Sequence, residues 1–117
     1  MRLIATTKIG NFPVRIYEGP EAQRDHDADG ITEKTTDGRE IRIILDPGMS
    51  EDVYWETFYH ELIHAFERGF GYNLKHPLVS AMGMGLFQLL HEMKWEGTPA
   101  VGLPPGLQRA KKKHRRK

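Results

Sequence analysis

Residues 60–64 read His-Glu-Leu-Ile-His within a long helical pattern, and this spacing constrains the chain more than any other feature. Residues four apart in an α-helix lie one above the other, so the imidazoles of His60 and His64 can bind one zinc ion from a single face. Glu61 lies beside them and can take a proton from a water whose pKa the metal lowers to about 7. The pattern therefore predicts a helix that carries a hydrolytic metal site.

A solvated polar helix face is the alternative interpretation of the same residues. The helical period separates the segment into two sides. One side carries five large side chains, which are Trp55, Phe58, Tyr59, Leu62 and Phe66. The other side carries Val53, Thr57, Glu61, His64 and Glu67. We therefore expect the first side in the core and the metal site on the second.

The composition indicates one globular domain inside a cell. The chain has 117 residues, of which 38% are hydrophobic and 28% charged, as in ordinary soluble domains. No apolar run approaches the ~20 residues that span a bilayer, and residues 1–9 lack the apolar centre of a signal peptide. The absence of Cys fits a reducing compartment and excludes thiolate ligands. We expect a cytoplasmic protein without a membrane partner, whose metal ligands come from His, Glu or Asp.

The charge distribution separates a tail from the body. Seven of the 17 basic residues lie in residues 109–117, so the part before them has a net charge of −6 although the whole chain has +1. Residues 97–106 contain three Pro and three Gly. We predict a domain over residues 1–96, followed over residues 97–117 by a linker and a disordered basic tail. The tail either increases solubility or makes a weak, salt-dependent contact with nucleic acid.

The remaining pattern predicts strands and helices around the motif. Four strands are expected over residues 3–8, 14–18, 31–35 and 40–45, forming two hairpins. Residues 19–30 are expected to form a loop, whose Asp25, His26 and Asp27 are better explained as solvated residues than as a metal site. Helices are expected over residues 50–68, capped by Ser50, and over residues 78–95. In the second helix, the glycines at 83 and 85 would allow close approach of the first.

A catalytic zinc site usually has three protein ligands and one open position, so one ligand must come from outside the motif. We predict His76, because a helical hairpin can bring the start of the second helix back beside the motif. Glu67, His91 and Glu92 are the alternatives. A metzincin would have Gly at position 67 and His at position 70, where this chain has Glu67 and Phe70, which excludes that class.

The chain resembles the small zincin-like metallopeptidases of phage and prophage genomes, which are related to the minimal gluzincins of the ImmA/IrrE and SprT-like kind. The resemblance covers residues 29–92 and rests on residues 29–30 and 40–45, on the helix segment 57–66 and on residues 85–90. It implies an α+β fold in which a small antiparallel or mixed twisted sheet packs against two main helices, the first carrying HExxH. It also implies a bacterial host and an acidic third ligand where this chain has His76-Pro77.

Together these features predict a zinc-dependent metallopeptidase that acts on a peptide or protein substrate. His60, His64 and His76 would bind Zn²⁺, and Glu61 would act as the general base. The substrate would add as a strand to the edge of residues 31–35 or 40–45, with Tyr72 and Tyr59 as candidates for stabilising the oxyanion. The alternative is a non-catalytic, zinc-stabilised binding module of phage origin, which contacts nucleic acid through its basic tail.

Overall fold

The computed structural model describes residues 1–93, and residues 94–117 lie outside the described part. The predicted linker and basic tail, with the end of the predicted second helix, therefore stay predictions. The described residues form an α+β fold, and the predicted class is confirmed. Its elements are β1 (Arg2–Ile9), β2 (Phe12–Glu18), α1 (Glu21–His26), β3 (Gly30–Lys34), β4 (Ile41–Leu45), α2 (Glu51–Phe70) and α3 (His76–Glu92).

The four strands form one mixed sheet in the order β1-β2-β4-β3. β1 pairs with β2 and β3 pairs with β4 in antiparallel fashion, whereas β2 and β4 are parallel. The two predicted hairpins are therefore present, and Gly10 and Gly38 have the positive φ angles that their turns require. β4 is interior, so the suggestion that residues 40–45 offer a free edge was wrong, and β3 is the edge strand on that side.

The predicted loop over residues 19–30 was wrong in part, because Glu21–His26 form the short helix α1. Pro20 precedes this helix with a φ of −78°, close to the helical value, and Asp27 ends it in the left-handed conformation. Ala22 is the residue of α1 that is buried. A single small apolar side chain gives no helical period, which explains why the sequence pattern did not reveal α1.

The two long helices lie close to their predicted bounds. Ser50 precedes α2, but its side chain makes no capping hydrogen bond, contrary to prediction. Gly71 ends α2 with a φ of 78°, and its N–H donates to the carbonyl of Glu67. α3 begins at His76, two residues earlier than predicted, with a proline in its first turn. No helix within residues 1–93 is both long and apolar enough to span a membrane.

The core lies between the sheet and α2. It is built from aliphatic residues of β2 and β4 and aromatic residues of α2, principally Val14, Ile16, Ile41, Ile43, Leu45, Tyr54, Trp55, Phe58 and Tyr59. Phe66 does not belong to it, because 47% of its side chain is exposed. Glu61 and Glu67, expected on the open side, are only 7% and 9% exposed. The rest of the fold therefore covers part of the predicted polar side of α2.

Candidate metal centre

Three histidines converge where α2 faces the start of α3. His60 and His64 lie one turn apart on α2, and His76 is the first residue of α3. One ring nitrogen from each lies within 4.8 Å of the other two, and the Nε2 atoms of His60 and His64 are 3.1 Å apart. Tetrahedral zinc with bonds of ~2.05 Å would hold its ligand nitrogens ~3.3 Å apart. The α2 pair is close to this spacing, and the nitrogen of His76 needs to approach by no more than about 1.5 Å.

Gly83 allows α3 to approach the backbone of α2 at the candidate site itself. A Cβ atom at Gly83 would lie 3.0 Å from the nitrogen of His60 and 3.1 Å from its Cα. A Cβ atom at Gly85 would meet nothing within 4 Å. The prediction that glycines of the second helix permit close approach of the first is therefore confirmed for Gly83 and wrong for Gly85.

Glu67 connects His64 with the loop that leads to His76. Its Oε1 accepts a hydrogen bond of 2.6 Å from Nδ1 of His64, and its Oε2 accepts one from the N–H of Leu74. Burial alone would raise the pKa of Glu67, but the hydrogen bonds from His64 and Leu74 hold it below its ordinary value. The carboxylate thus directs Nε2 of His64 toward the cluster and does not itself belong to the group of potential ligands.

The other candidate ligands lie elsewhere. His91 packs against Trp55, and its Nε2 is 3.1 Å from the hydroxyl of Tyr59. It is 15 residues from His76 on α3, which corresponds to about 22 Å along the helix. Glu92 is exposed at the end of that helix. Within residues 1–93, the one group of three potential ligands is His60, His64 and His76, so neither these residues nor the acidic segment 25–27 joins it.

The electrostatics at His60 favour the form that binds metals. Partial burial lowers the pKa of His60, and the neighbouring imidazoles of His64 and His76 lower it further. A low pKa keeps the ring neutral, and the lone pair of a neutral imidazole is the metal-binding group. The crowding of three imidazoles therefore reduces proton competition at this position.

Glu61 is held by the edge strand. Its Oε1 accepts a hydrogen bond of 2.7 Å from the hydroxyl of Thr32, which also lies 3.0 Å from the carbonyl oxygen of Glu61. Burial raises the pKa of Glu61, against the opposing effects of the Thr32 hydrogen bond and of nearby His64 and Arg68. Raising the pKa of a carboxylate strengthens it as a base near neutral pH. Sequence reasoning missed Thr32, because the pairing joins residues 29 positions apart.

An open cleft of about 670 Å³ contains the three histidines and Glu61. One wall comes from residues 28–32, the floor from α2, and the other wall from α3. The α3 wall consists of His76, Ser80 and Met84, which follow one another at the four-residue helical spacing. Arg68 and Ser80 were not among the predicted site residues, although Arg68 follows His64 at the same spacing.

Neither tyrosine that was considered for oxyanion stabilisation lines the cleft. Tyr59 is buried in the core, and burial raises its pKa to about 12. Tyr72 is 70% exposed in the loop after α2. The structure contradicts that role for Tyr59, because the aromatic side of α2 faces the sheet, and it does not place Tyr72 at the cleft.

The free edge of β3 borders this cleft. The N–H of Asp46 donates to the carbonyl of Asp29, and the N–H of Thr35 donates to the carbonyl of Glu40. These two hydrogen-bonded pairs lie just beyond the two ends of β3. Such pairs alternate along an antiparallel ladder. The backbone groups of Gly30, Thr32 and Lys34 consequently point away from β4 toward the open side.

Comparisons of the chain with protein-family models, with curated proteins and with solved structures gave no match. The resemblance to zincin-like metallopeptidases therefore stays a prediction from sequence. Any function assigned to this chain has to rest on the geometry and chemistry of the cleft.

Proposed function

We propose that the chain is a zinc-dependent peptidase with a zincin-like architecture, in which His60, His64 and His76 bind the metal and Glu61 is the general base. One observation carries the proposal. Three imidazoles and a buried carboxylate converge in an open cleft, and the outer edge of β3, which pairs with no other strand of residues 1–93, borders this cleft. This arrangement combines a metal site, a base and a surface for an extended peptide.

The donor set fits zinc. Three imidazole nitrogens leave one tetrahedral position open, as in catalytic zinc sites, and the Glu67 carboxylate on His64 supplies the outer hydrogen bond that such ligands usually make. Bound zinc would supply a Lewis acid that polarises a carbonyl and lowers the pKa of a water molecule. No Cys or Asp is required to complete this shell.

The base is prepared by its surroundings. Thr32 occupies Oε1 of Glu61, so Oε2 is the atom that is left to accept a proton from the attacking water. The raised pKa allows the same carboxyl to hold this proton and then donate it to the leaving amine. The side chain of Thr32 acts here as a positioning group, since its hydroxyl holds the carboxylate of Glu61 and takes no part in the reaction.

The peptide would lie along β3 as an added strand. The outward backbone groups of Gly30, Thr32 and Lys34 can pair with an extended chain, whose next carbonyl then lies over the histidine cluster. Gly30 allows this part of the strand to lie against α2, because a Cβ atom there would lie 2.8 Å from Cγ2 of Thr57. Main-chain pairing of this kind gives affinity without requiring a particular sequence.

The test compares wild type with Glu61→Gln, using zinc content and cleavage of a peptide library. We expect about one zinc per chain in both proteins and a loss of cleavage of at least ~100-fold in the variant, because general bases contribute on that order. Glu33→Gln is the matched control, since Glu33 lies on the same edge strand but pairs with Arg42 outside the cleft. Equal cleavage by wild type and Glu61→Gln would refute the role of Glu61.

A non-catalytic, zinc-stabilised module is the second candidate. It is favoured by the limited burial of α3, where a metal joining His76 to α2 would add stability. Zinc that raises the melting temperature without any cleavage would support this alternative.

The contact of the basic tail with nucleic acid stays a prediction. DNA affinity at low salt that is unchanged after removal of residues 107–117 would exclude it.

A further inference from the structure

Arg68 is a cation in the cleft that forms no ion pair with a carboxylate of the described residues 1–93. It lies one turn beyond His64 on α2, is exposed, and lines the cleft. Toward the described part of the chain, its guanidinium donates one long hydrogen bond of 3.4 Å, to the carbonyl oxygen of Thr32 on the outer edge of β3. Four other arginines of the described part form ion pairs, namely Arg2, Arg15, Arg24 and Arg42. Arg68 therefore retains donors that suit a carboxylate from outside the chain.

The opposite end of the cleft is acidic. Glu56 lies one turn before His60 on α2, and Asp29 immediately precedes the edge strand β3; both line the cleft. With a rise of 1.5 Å per residue, Glu56 and Arg68 are about 18 Å apart along α2, and the His60–His64 pair lies midway between them. An extended peptide advances about 3.3 Å per residue. Each charge is therefore about two to three residues away from a bond held over the histidines.

The order of contacts along β3 defines a direction. Gly30 lies against Thr57, and Thr32, further along the strand, contacts both Glu61 and Arg68. β3 thus runs in the same sense as α2. A peptide that adds to β3 in antiparallel fashion, the slightly more stable pairing, runs from the Arg68 end to the Glu56 end.

We propose that Arg68 and Glu56 select peptides with an acidic residue two or three positions before the scissile bond and a basic residue two or three positions after it. The inference rests on the proposed peptidase function, for which it specifies the substrate class. Arg68 binds the acidic side chain, and Glu56 with Asp29 attracts the basic one. The cleft thereby favours one orientation of the peptide as well as one charge pattern.

A purely structural role for Arg68 has different consequences. Its charge also acts on the nearby carboxyls of Glu61 and Glu67. If balancing these two groups were its whole role, replacing Arg68 would lower zinc affinity or the melting temperature and would affect all peptides equally. Selectivity between peptides separates the two roles.

The experiment measures binding, so that it does not depend on turnover. Two peptides of identical composition are titrated onto the zinc-loaded full chain carrying Glu61→Gln, one with Glu before and Lys after the central bond and the other reversed. We expect the first peptide to bind about ten-fold more tightly, with a preference that decreases as salt rises. Adding Arg68→Glu should abolish or reverse this preference. Arg39 lies in the turn after β3 and outside the cleft. Arg39→Glu changes the net charge by the same amount as Arg68→Glu and should leave the peptide preference intact.

Equal affinity for the two peptides, or tighter binding of the reversed one, would overturn the proposal. Arg68→Gln provides a second variant in case charge reversal prevents folding, and it should reduce the preference while zinc content is unchanged. Loss of zinc in both Arg68 variants would assign the residue a structural role and would also overturn the proposal. Selective binding in a protein whose wild type cleaves nothing would refute the peptidase function and leave the charge selection standing. Cleavage by the wild type without selective binding would refute the charge selection and leave the peptidase function standing.

Discussion

The helices α2 and α3 supply the same candidate site but are held in different ways. α2 has buried residues on both sides, with core aromatics on one and Glu61 and Glu67 on the other. α3 has only Val79 and Gly83 buried, and it exposes several large apolar side chains, which are Leu78, Met82, Met84 and Leu89. Two candidate ligands are thus preorganised on a well-packed helix, whereas the third depends on a few specific contacts. Metal binding should therefore order α3 more than α2.

The largest expected effect distinguishes the ligands on the two helices. Replacing His60 or His64 by Ala should weaken zinc binding by more than the roughly 10–100-fold that loss of an outer hydrogen-bond partner costs. His76→Ala should weaken it less, since the α2 pair is already close to metal-binding spacing. Competition with a chromophoric chelator measures the affinities.

His26→Ala is the control for that series, because His26 is exposed on α1 and outside the cluster. Its zinc affinity should equal that of wild type. If His76→Ala bound zinc as tightly as wild type, the third ligand would have to be another group. If His76→Ala lost as much zinc affinity as His64→Ala, the contrast between a preorganised pair and a loosely held third ligand would be wrong.

The next effect concerns the connection between the helices. Glu67→Gln keeps the size of the side chain but removes the charge that His64 and the N–H of Leu74 share. We expect zinc affinity to decrease about 10–100-fold. Hydrogen exchange at the amide of Leu74 should also become faster, because its acceptor is weakened.

Glu92→Gln is the matched control, since Glu92 is exposed at the far end of α3. It should change neither zinc affinity nor exchange at Leu74. Unchanged zinc affinity in Glu67→Gln would mean that His64 needs no carboxylate partner. It would also mean that the loop holds His76 in place without the charge of Glu67.

The smallest effect tests the contact between the two helices. Gly83→Ala should lower the free energy of unfolding by about 1–3 kcal/mol, because the new methyl group would press on the backbone of His60. Gly85→Ala, two residues further along the same helix, should raise it by up to about 1 kcal/mol, because its Cβ would meet nothing within 4 Å and Ala favours helix. Urea denaturation measures both, and similar values for the two variants would refute the close contact at Gly83.

Local patterns predicted much of the fold. The predicted strands over residues 31–35 and 40–45 correspond to β3 and β4 of one hairpin, and the predicted side with Trp55, Phe58 and Tyr59 is the core side of α2. The helical period wrongly placed Phe66 in the core, and it wrongly placed Glu61 and Glu67 on the open side. Periodicity reports which side chains share a helix side, but the cover on each side comes from elements distant in the chain.

The sequence by itself determined the spacing of His60, Glu61 and His64, since four-residue separation in a helix brings two imidazoles together whatever surrounds them. It also determined that any zinc ligands must be oxygen or nitrogen groups, because the chain has no Cys. Only the tertiary structure decided which strand edge is free, that His76 meets the α2 pair, and that Thr32, Glu67 and Arg68 lie around it. These relationships join residues through packing and strand order, which a local pattern does not contain.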